Sequence, residues 1–543
     1  MGHQVFSPII RDADFQRIVS IPRREELADC VAEETSRYRR PGSSATLFRA
    51  QAVALRELRM HGGLFGMLPI GSGKTLISLL APTVLQKRAL IVVPAALRKK
   101  THQELVQYAK DWLIGITFRI KSYEELSRVS HANFLEDYRP ELLVFDEAHR
   151  LKNRSAAVTK RITRYFRQHP DTQSVCLSGT ITTRSLTEYA HLLIWTLKNQ
   201  APVPLNPMHV QMWASHLDAR AAEGQNPGCL LDLSPPHPDD TGTDQAKARA
   251  RFRRRLLHTP AVQVSQGSGF TGSLVVNLVA MKDTPQELKD VFDDLQKSKE
   301  IPDYLAMDNP LEYWQIANQL CTGLIYYWDP PPPKDWSIAR KVWYASVRET
   351  LKRSRTYDSP QQVEFATRGG QTDLQYQLEA WDKVKNLYHI NVKAKWIGEH
   401  MIDACRKYKR GIIWCNLQAA SERIAKELDV PYYGSKGEDH RGRRIEDATG
   451  LIVASIDANS TGRNLQQFSH NVVVTSALPS STWAQLIGRT HRHGQKTDTV
   501  TVDVLIPHAI IQDSFDKALK DAKYAYETTE DKNKLLIADI IGE

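Results

Sequence analysis

Long hydrophobic runs are absent from this chain of 543 residues. Because no stretch of about 18 apolar residues occurs, the sequence predicts no membrane-spanning helix. The first residues also lack the charged segment and the apolar segment of a secretory signal. We therefore expect a cytoplasmic protein of a bacterial cell or a viral host cell, or a nuclear one if the source is eukaryotic, with no membrane partner.

Cysteine is also scarce, and the six cysteines are scattered singly along the chain. No two of them have the spacing of a zinc site or a redox motif, so we expect reduced thiols. Charge of one sign is only slightly in excess, because 72 Lys and Arg residues face 62 Asp and Glu residues, for a net charge of +10. This surplus favours a polyanionic partner without identifying it.

The apolar residues occur in short runs within two regions of the chain. These runs are 89–93, 142–145 and 174–177 in the first region, and 411–415, 451–454, 472–474 and 500–506 in the second. Amphipathic stretches separate the runs, which is typical of parallel sheets covered by helices. The expected fold class is therefore α/β, with two parallel-sheet lobes and a mostly helical insertion between them.

The change in character along the chain also predicts its domains. They are an N-terminal extension (1–45), lobe 1 (46–199), the insertion (200–390), lobe 2 (391–510) and a C-terminal helical tail (511–543). Within the insertion we expect helices around 311–328 and 336–351, joined by an extended run of four prolines.

A glycine-rich segment of lobe 1 has the residue types of a phosphate-binding loop. Its candidate nucleotide-binding residues are Gly71, Ser72, Gly73, Lys74 and Thr75. Glycines let backbone N–H groups approach a phosphate, and the following helix N-terminus adds its positive dipole end. Lys74 is expected to reach the β- and γ-phosphates, and the Thr75 hydroxyl to bind Mg²⁺. Leu68 stands where the full motif has glycine, and a structural turn is the alternative interpretation.

Two adjacent carboxylates, Asp146 and Glu147, directly follow the apolar run 142–145. The carboxyl ends of parallel strands are where α/β sheets bind ligands. We expect Asp146 to hold Mg²⁺ with its water shell, and Glu147 to orient and deprotonate the attacking water. The alternative is a solvated acidic loop that caps the next helix. Together with the glycine-rich segment, the pair predicts a site for ATP and Mg²⁺.

Two longer motifs carry a family resemblance. Residues 146–153 have the sequence Asp-Glu-Ala-His-Arg-Leu-Lys-Asn, and residues 485–495 have the sequence Gln-Leu-Ile-Gly-Arg-Thr-His-Arg-His-Gly-Gln. Both motifs resemble the superfamily 2 helicases and, within them, the Swi/Snf-type DNA translocases. The resemblance covers lobes 1 and 2 and implies that each is RecA-like. A basic surface helix is the alternative for the second motif.

The resemblance implies further site residues in lobe 1. Gln51 matches the glutamine that recognises adenine, while Pro94 and Ser122 match positions that contact DNA. The segment 178–180, Ser-Gly-Thr, resembles the family's coupling motif, although Ile181 replaces the usual proline of that motif.

In lobe 2 the resemblance implies that Thr461 contacts DNA and that Gly462 and Gln485 contact the nucleotide. Arg489 and Arg492 are three residues apart, so they share a face if they lie on one helix. They match the family's arginine fingers, which stabilise the charge on the γ-phosphate in the transition state. In the family these arginines reach the nucleotide held by lobe 1, which implies that hydrolysis requires lobe closure.

The insertion contributes a basic run, in which six of the nine residues 247–255 are Lys or Arg. We expect Lys247, Arg251 and Arg254 to contact a phosphate backbone, which gives affinity without sequence information. A solvated helix face is the alternative. A cluster of aromatic residues either stacks on bases or packs in a core; its members are Tyr326, Tyr327, Trp328 and Trp336.

These features predict an ATP-dependent translocase on double-stranded DNA, which hydrolyses ATP to move on DNA or to remodel protein–DNA complexes. Within the enzyme class, the alternative is a strand-separating helicase acting on DNA or RNA. From another class, the alternative is a catalytically inactive scaffold that binds nucleic acid. The joint presence of Lys74, Glu147, Arg489 and Arg492 argues against the scaffold.

Overall fold

The computed structural model of the protein describes residues 7–24, 29–69, 71–115, 117–179, 181–182, 184–218, 221, 224–264, 272–298, 310–354, 356–388 and 391–542. The chain divides into two compact units. Unit 1 consists of Met1–Gly267, Ser346–Asp373 and Lys523–Asp531, and unit 2 consists of Ser268–Ala345, Leu374–Ala522 and Lys532–Glu543. Each unit contains a parallel β-sheet, so the predicted α/β fold class is confirmed.

Unit 1 is built on a six-stranded sheet whose strands pair in parallel. In chain order the strands are β1 (Leu64–Met67), β2 (Ala89–Val93), β3 (Phe118–Ser122), β4 (Leu142–Asp146), β5 (Gln173–Ser178) and β6 (Val262–Val264). Their order across the sheet is β3-β2-β4-β5-β1-β6. Strands β2 and β4 are buried along their whole length, which explains why their sequences are continuous apolar runs.

The helices in the first half of the chain all belong to unit 1. They are α1 (Ala13–Ser20), α2 (Val31–Tyr38), α3 (Arg49–His61), α4 (Lys74–Leu85), α5 (Ala95–Tyr108), α6 (Tyr123–Ser127), α7 (Phe134–Tyr138), α8 (Ala157–Gln168), α9 (Ala190–Leu197), α10 (Pro207–Leu217) and α11 (Asp244–Leu257). Gly62 caps the end of helix α3, and its left-handed φ of 73° suits a residue without a Cβ. Leu55 of α3 and Leu79 of α4 lie in one buried apolar cluster with β2, so both helices pack on the sheet.

The remaining strands follow in the second half of the chain. They are β7 (Ser273–Ala280), β8 (Leu324–Asp329), β9 (Asn391–Trp396), β10 (Gly411–Cys415), β11 (Tyr432–Tyr433), β12 (Leu451–Ser455), β13 (His470–Val473), β14 (Thr499–Ile506) and β15 (Asp539–Gly542). Unit 2 contains a seven-stranded parallel sheet of order β11-β12-β10-β13-β14-β7-β15. Strands β8 and β9 form a separate antiparallel pair.

The remaining helices also follow chain order. They are α12 (Gln286–Ser298), α13 (Pro310–Cys321), α14 (Lys334–Arg353), α15 (Pro360–Arg368), α16 (Gln375–Val384), α17 (His400–Cys405), α18 (Gln418–Glu427), α19 (Ile456–Asn459), α20 (Ser480–Thr490) and α21 (Ala509–Thr529). The helix expected over 336–351 is present as α14. The helix expected over 311–328 is too long, because α13 ends at Cys321 and β8 follows. Tyr326, Tyr327 and Trp328 favour a strand, and Gly323 turns the chain with a φ of 75°.

The compact units differ from the predicted domain boundaries. The predicted insertion is divided, with 200–267 and 346–373 in unit 1 and 268–345 and 374–390 in unit 2. Strand β6 extends the sheet of unit 1 beside β1, and β7 lies between β14 and β15 in the sheet of unit 2. Parts of the insertion therefore complete the two sheets. Within the described ranges, no helix is long and apolar enough to span a membrane.

Candidate functional site

One edge of the unit 1 sheet collects the predicted site residues of lobe 1. Val93 pairs with Ser122, so Pro94 and Ser122 lie at the carboxyl ends of neighbouring strands. Asp146 pairs with Leu177 at the end of β4, and Met67 pairs with Ser178 at the end of β1. Since all these strands are parallel, the loops that follow them emerge at the same edge, where α/β sheets bind ligands.

The glycine loop between β1 and α4 has a left-handed backbone at two glycines. Gly71 has a φ of 89° and Gly73 a φ of 79°, both in the left-handed region that glycine tolerates. A Cβ at Gly71 would meet nothing within 4 Å, whereas one at Gly73 would lie 2.0 Å from Gln51 Nε2. The Ser72 hydroxyl donates to the Pro69 carbonyl at 2.8 Å and holds the loop together. The loop therefore leaves room in front of the α4 N-terminus for a phosphate.

Gln51 lies on α3 and borders the same loop. Its amide Nε2 donates to the Gly73 carbonyl at 3.5 Å, and its Oε1 accepts from the Phe48 backbone at 2.8 Å. The side chain is buried, so these contacts fix its position. The structure thus brings the predicted adenine-recognising residue against the predicted phosphate loop.

Lys74 is the first residue of α4 and points towards the acidic pair. Its Nζ lies 3.7 Å from Glu147 Oε1 and donates to the Leu68 carbonyl at 3.1 Å. Only 10% of the Lys74 side chain is exposed. A buried ammonium held among oxygen atoms is suited to bind an oxyanion such as a phosphate. Thr75 follows Lys74 and is half-buried on the first turn of the same helix.

Asp146 is buried at the end of β4, with its backbone carbonyl accepting a 2.8 Å hydrogen bond from the Tyr123 hydroxyl. Burial and, to a smaller extent, the neighbouring Glu147 charge raise the pKa of Asp146 to about 7, while the Lys74 charge opposes the rise. A cation at this position would favour the ionised carboxylate. With the Thr75 hydroxyl, Asp146 offers the oxygen ligands that Mg²⁺ prefers, so the residues fit this ion. Among the described residues, no group of three or more His, Cys, Asp and Glu side chains is placed to hold a metal. Mg²⁺ is typically held by one or two carboxylates together with phosphates and waters.

Glu147 has a strained backbone, with a left-handed φ of 55° that is unusual outside glycine. Its Oε2 lies 3.4 Å from His149 Nδ1, and the same ring nitrogen lies 3.0 Å from Ser178 Oγ. His149 therefore links the candidate base to the end of β5. The sequence prediction did not include His149 among the site residues, although its place in the Asp-Glu-Ala-His motif was the available signal. Thr180, in the motif that resembles the family's coupling segment, lies outside the described residues.

The DEAD/DEAH box helicase family matches residues 48–189, which enclose the glycine loop, Asp146 and Glu147. This span of the chain is a DEAD/DEAH box helicase domain. The protein is therefore an ATP-hydrolysing enzyme of the helicase and translocase type, and its partner is a nucleic acid. No curated protein sequence matches the chain at a significant level.

Unit 2 carries the predicted arginine motif at the end of α20. Arg489 is 4% exposed and donates through Nη1 to the Arg463 carbonyl at 3.2 Å. Arg492 donates to the same carbonyl at 3.5 Å and to Asn464 Oδ1 at 2.7 Å. Burial lowers the pKa of Arg492 from its usual value. The two arginines are thus held together by one backbone segment.

That backbone segment also contains Thr461 and Gly462. The Thr461 hydroxyl donates to Gln485 Oε1 at 3.2 Å, and Gly462 has a left-handed φ of 76°. The structure therefore brings together all the candidate site residues that the family resemblance implied for lobe 2. The order of these residues in the sequence does not show that Arg463 supplies the shared acceptor.

The remaining candidate nucleic-acid residues lie in different surroundings. Ser122 is 2% exposed, and its hydroxyl caps α6 by accepting from the Glu125 backbone at 3.1 Å. Arg254 Nη1 lies 2.5 Å from Asp240 Oδ1, and Arg251 Nε lies 3.0 Å from Asp240 Oδ2. The Arg254 guanidinium holds the pKa of Asp240 well below its usual value. These arginines tie α11 to the preceding proline-rich loop, and Lys247 pairs with Asp244 at 3.1 Å.

The aromatic cluster of the insertion packs mainly within unit 2. Trp336 is 7% exposed and meets Trp328 edge to face at 5.7 Å between ring centroids. It also meets Trp381 at 5.4 Å. Of the two alternatives for these residues, this packing favours the core role for Trp336.

Proposed function

We propose that this helicase is an ATP-dependent translocase on double-stranded DNA, which uses hydrolysis to move along DNA or to remodel protein–DNA complexes. The observation that carries the proposal is the motif of residues 485–495, whose pattern is similar to that of Swi/Snf-type translocases. The Leu-Lys-Asn sequence of residues 151–153 supports it, because it differs from the usual sequence of RNA helicases.

In the proposed reaction, the residues of unit 1 prepare the γ-phosphate for attack. The Lys74 ammonium binds phosphate oxygens in place of its present contacts with Leu68 and Glu147. Asp146 and Thr75 hold Mg²⁺, which supplies positive charge to the phosphate oxygens when it is bound. Glu147 accepts the proton of the attacking water, and His149 keeps its carboxylate in position through the contact with Ser178.

Arg489 and Arg492 supply the second part of the proposed mechanism. Phosphoryl transfer places negative charge on the equatorial oxygens in the transition state, and a guanidinium donates in a geometry that fits those oxygens. Because both arginines donate to the Arg463 carbonyl, a change in the segment Thr461–Asn464 would move both. This shared acceptor supports coupling between nucleic-acid contact by Thr461 and hydrolysis.

The proposed nucleic-acid contacts differ in their position and in their accessibility. Pro94 and Ser122 follow or end strands at the same sheet edge as the nucleotide residues, so a nucleic acid bound there would lie close to the site of hydrolysis. Lys247 is more accessible than Arg251 and Arg254, whose charges Asp240 already engages. We therefore expect Lys247 to be the stronger phosphate contact of the basic run.

The test of this proposal compares ATP hydrolysis without nucleic acid and with single-stranded DNA, double-stranded DNA or RNA. We expect double-stranded DNA to give the largest stimulation. Triplex displacement without duplex separation would support translocation. Duplex separation in a strand-displacement assay would support the alternative of a strand-separating helicase. Nucleic-acid binding without hydrolysis under any condition would support the inactive scaffold and contradict the assigned activity.

A further inference from the structure

Residues 436–446, which we call the basic hairpin, follow strand β11 in unit 2. Glu438 and Arg444 form an isolated antiparallel bridge, which brings the two sides of the hairpin together. Inside the turn, the Asp439 N–H donates to the Arg443 carbonyl at 3.0 Å, and Asp439 Oδ2 lies 2.7 Å from Arg443 Nη2. Because backbone hydrogen bonds and an ion pair act together, the hairpin keeps a defined shape.

The side chains of the hairpin place positive charge on its outside. Four cations are exposed, namely Lys436, Arg441, Arg443 and Arg444. Among the acidic residues of the hairpin, Glu438 is exposed, whereas Asp439 is buried and Glu446 is half-buried. An exposed surface with this excess of cations is suited to a phosphate backbone, which carries the complementary charge.

The hairpin lies at the carboxyl edge of the unit 2 sheet. Strands β10, β11 and β12 pair in parallel, so the segments that follow them emerge at the same edge. Helix α19 and then Thr461 follow β12. The buried Asn459 of α19 joins the two segments, because its Nδ2 donates to the carbonyl of Tyr433 at the end of β11. The hairpin therefore emerges beside the segment that contains Thr461.

The Arg463 side chain fastens the hairpin to this segment. Its Nη1 lies 3.1 Å from Glu446 Oε1, and its Nη2 donates to the Lys436 carbonyl at 2.8 Å. One guanidinium thus holds the first and the last residue of the hairpin. The guanidinium also lies against Gly437, because a Cβ at that position would be 2.2 Å from Arg463 Nη2. With 18% of its side chain exposed, Arg463 is packed into the base of the hairpin.

The backbone of the same residue orients the arginine motif. The Arg463 carbonyl accepts from Arg489 Nη1 at 3.2 Å and from Arg492 Nη1 at 3.5 Å. The Leu465 N–H in turn donates to the Arg489 carbonyl at 3.2 Å, so hydrogen bonds run in both directions between this segment and the end of α20. Arg463 therefore contacts the hairpin through its side chain and the arginine motif through its carbonyl.

We propose that Arg463 is a positioning residue, which transmits the binding of a nucleic-acid backbone on the basic hairpin to the orientation of Arg489 and Arg492. Phosphates bound by Lys436 and Arg441 fix the hairpin, and the hairpin fixes Arg463 through its guanidinium. The Arg463 carbonyl then holds both arginines in the direction that hydrolysis requires. The inference rests on the proposed role of these arginines in ATP hydrolysis, but not on translocation or on the kind of nucleic acid.

The test measures kcat and KM for ATP with the full-length protein, without nucleic acid and with double-stranded DNA, single-stranded DNA or RNA. The nucleic acid that stimulates the wild type most is then used for the variants. In Arg463→Ala we expect the ratio of stimulated to unstimulated kcat to fall about tenfold, while the KM for ATP changes by less than about twofold. A general loss of structure would lower both rates by the same factor and leave their ratio unchanged.

Gly437→Ala is a second variant that keeps Arg463. Its Cβ would occupy the place of the Arg463 guanidinium, so the guanidinium must leave the base of the hairpin. We expect the ratio of stimulated to unstimulated kcat to fall about fivefold or more. Agreement between the two variants would show that the contact matters, and not the loss of one charge.

Two further variants serve as controls. Arg463→Lys keeps a charge that can pair with Glu446, so it should restore at least about half of the wild-type ratio. Arg406→Ala removes another exposed arginine of unit 2, which pairs with Asp403 at 3.2 Å, and should leave the ratio as it is in the wild type.

The hairpin surface is tested by the double variant Lys436→Ala and Arg441→Ala. The dissociation constant of the nucleic acid should rise about five- to tenfold. The dependence of the logarithm of the binding constant on the logarithm of salt concentration should become less steep by about 2, because two phosphate contacts are lost.

A wild-type ratio of stimulated to unstimulated kcat in both Arg463→Ala and Gly437→Ala would overturn the inference. Unchanged nucleic-acid binding in the double variant would do the same. Stimulation of the wild type by RNA rather than double-stranded DNA would contradict the proposed translocase alone, and a reduced ratio in Arg463→Ala with RNA would still support the inference. A wild type that no nucleic acid stimulates would overturn both.

Discussion

The two units of this protein hold their charged site residues in different ways. In unit 1, Lys74 faces Glu147 at 3.7 Å, and Glu147 in turn faces His149. In unit 2, Arg489 and Arg492 both donate to the neutral carbonyl of Arg463. Unit 1 therefore contains a network of opposite charges that a nucleotide must rearrange. Unit 2 orients both arginines on one backbone carbonyl, which fixes their direction.

The difference predicts that the two sites affect different steps of the reaction. Lys74→Ala should abolish both nucleotide binding and ATP hydrolysis, with a loss of at least about 1000-fold in kcat/KM, because it removes the charge nearest the phosphates. Steady-state ATPase rates and fluorescent nucleotide binding measure the two effects. Lys87→Ala, just past the other end of α4, is the matched control. Retained turnover in Lys74→Ala would contradict the assignment of the site.

Arg492→Ala should leave nucleotide binding largely intact while kcat falls about 100-fold or more, because its guanidinium acts on charge that develops in the transition state. The same two assays give the comparison with Lys74→Ala directly. Alanine at the exposed Arg410 serves as control. Loss of nucleotide binding in Arg492→Ala would show that the two units do not divide the reaction in this way.

The comparison extends to stability, since each unit has its own buried core. Phe145 on β4 and Trp414 on β10 are both fully buried, and the Trp414 indole donates to Asn471 Oδ1 at 3.0 Å. Phe145→Ala and Trp414→Ala should each cost about 3 to 5 kcal/mol of unfolding free energy through lost burial and a cavity. Hydrogen exchange resolved by peptide should place each loss mainly in the mutated unit. Equal loss of protection in both units would argue against two separate cores.

The smallest expected effect is a difference in how the units respond to acid. Burial lowers the pKa of His191 in unit 1 to about 4, while the ring contacts the Leu151 carbonyl at 2.9 Å. In the unfolded chain the His191 ring binds a proton near pH 6.5. The contribution of the neutral, buried His191 ring to the free energy of unfolding is therefore complete above that pH and is lost as the pH falls towards 4. We expect a loss of about 1 to 3 kcal/mol. The difference in unfolding free energy between wild type and His191→Gln, followed from pH 7 to pH 4, measures it.

Unit 2 offers the contrasting group for this experiment. Burial acts to raise the pKa of Asp503, but hydrogen bonds from His470, Asn277 and Tyr408 outweigh it and hold the pKa at about 2. Its contribution is present above the usual pKa of 3.8 and is lost only as the pH falls towards 2. Asp503→Asn should therefore lower the free energy of unfolding by the same amount throughout the pH range in which His191 titrates. The dependence of that free energy on pH should not change there. The comparison would be reversed if Asp503→Asn, and not His191→Gln, changed how the free energy of unfolding varies between pH 6.5 and pH 4.

Much of the fold was predictable because buried parallel strands leave a simple sequence signal. The runs 89–93, 142–145 and 411–415 are strands β2, β4 and β10 almost to the residue. Strand β7 was missed because its residues alternate in burial and lie in a region otherwise rich in helix. Strand β6 has three residues, which is too short for a periodic pattern to be distinguished from a loop.

In the site, too, the features formed by neighbouring residues were predictable, and the contacts between residues far apart in the chain were not. The glycine loop and the Asp146–Glu147 pair are contiguous motifs, so their chemistry was visible in the sequence. The contact of His149 with Ser178 joins residues 29 positions apart, and Arg249 pairs with a residue 278 positions away. No pattern of spacing predicts such pairs, and the basic run was accordingly interpreted as a surface for phosphates.

The sequence by itself thus determined the α/β class, the phosphate loop, the acidic pair and the arginine motif, because each depends on residue types within a few positions of one another. The tertiary structure decided how the insertion is shared between two sheets and which acceptor orients Arg489 and Arg492. It also decided which carboxylates pair with the arginines of the basic run in α11. These features depend on packing between segments far apart in the chain, where burial and long-range ion pairs select the partner.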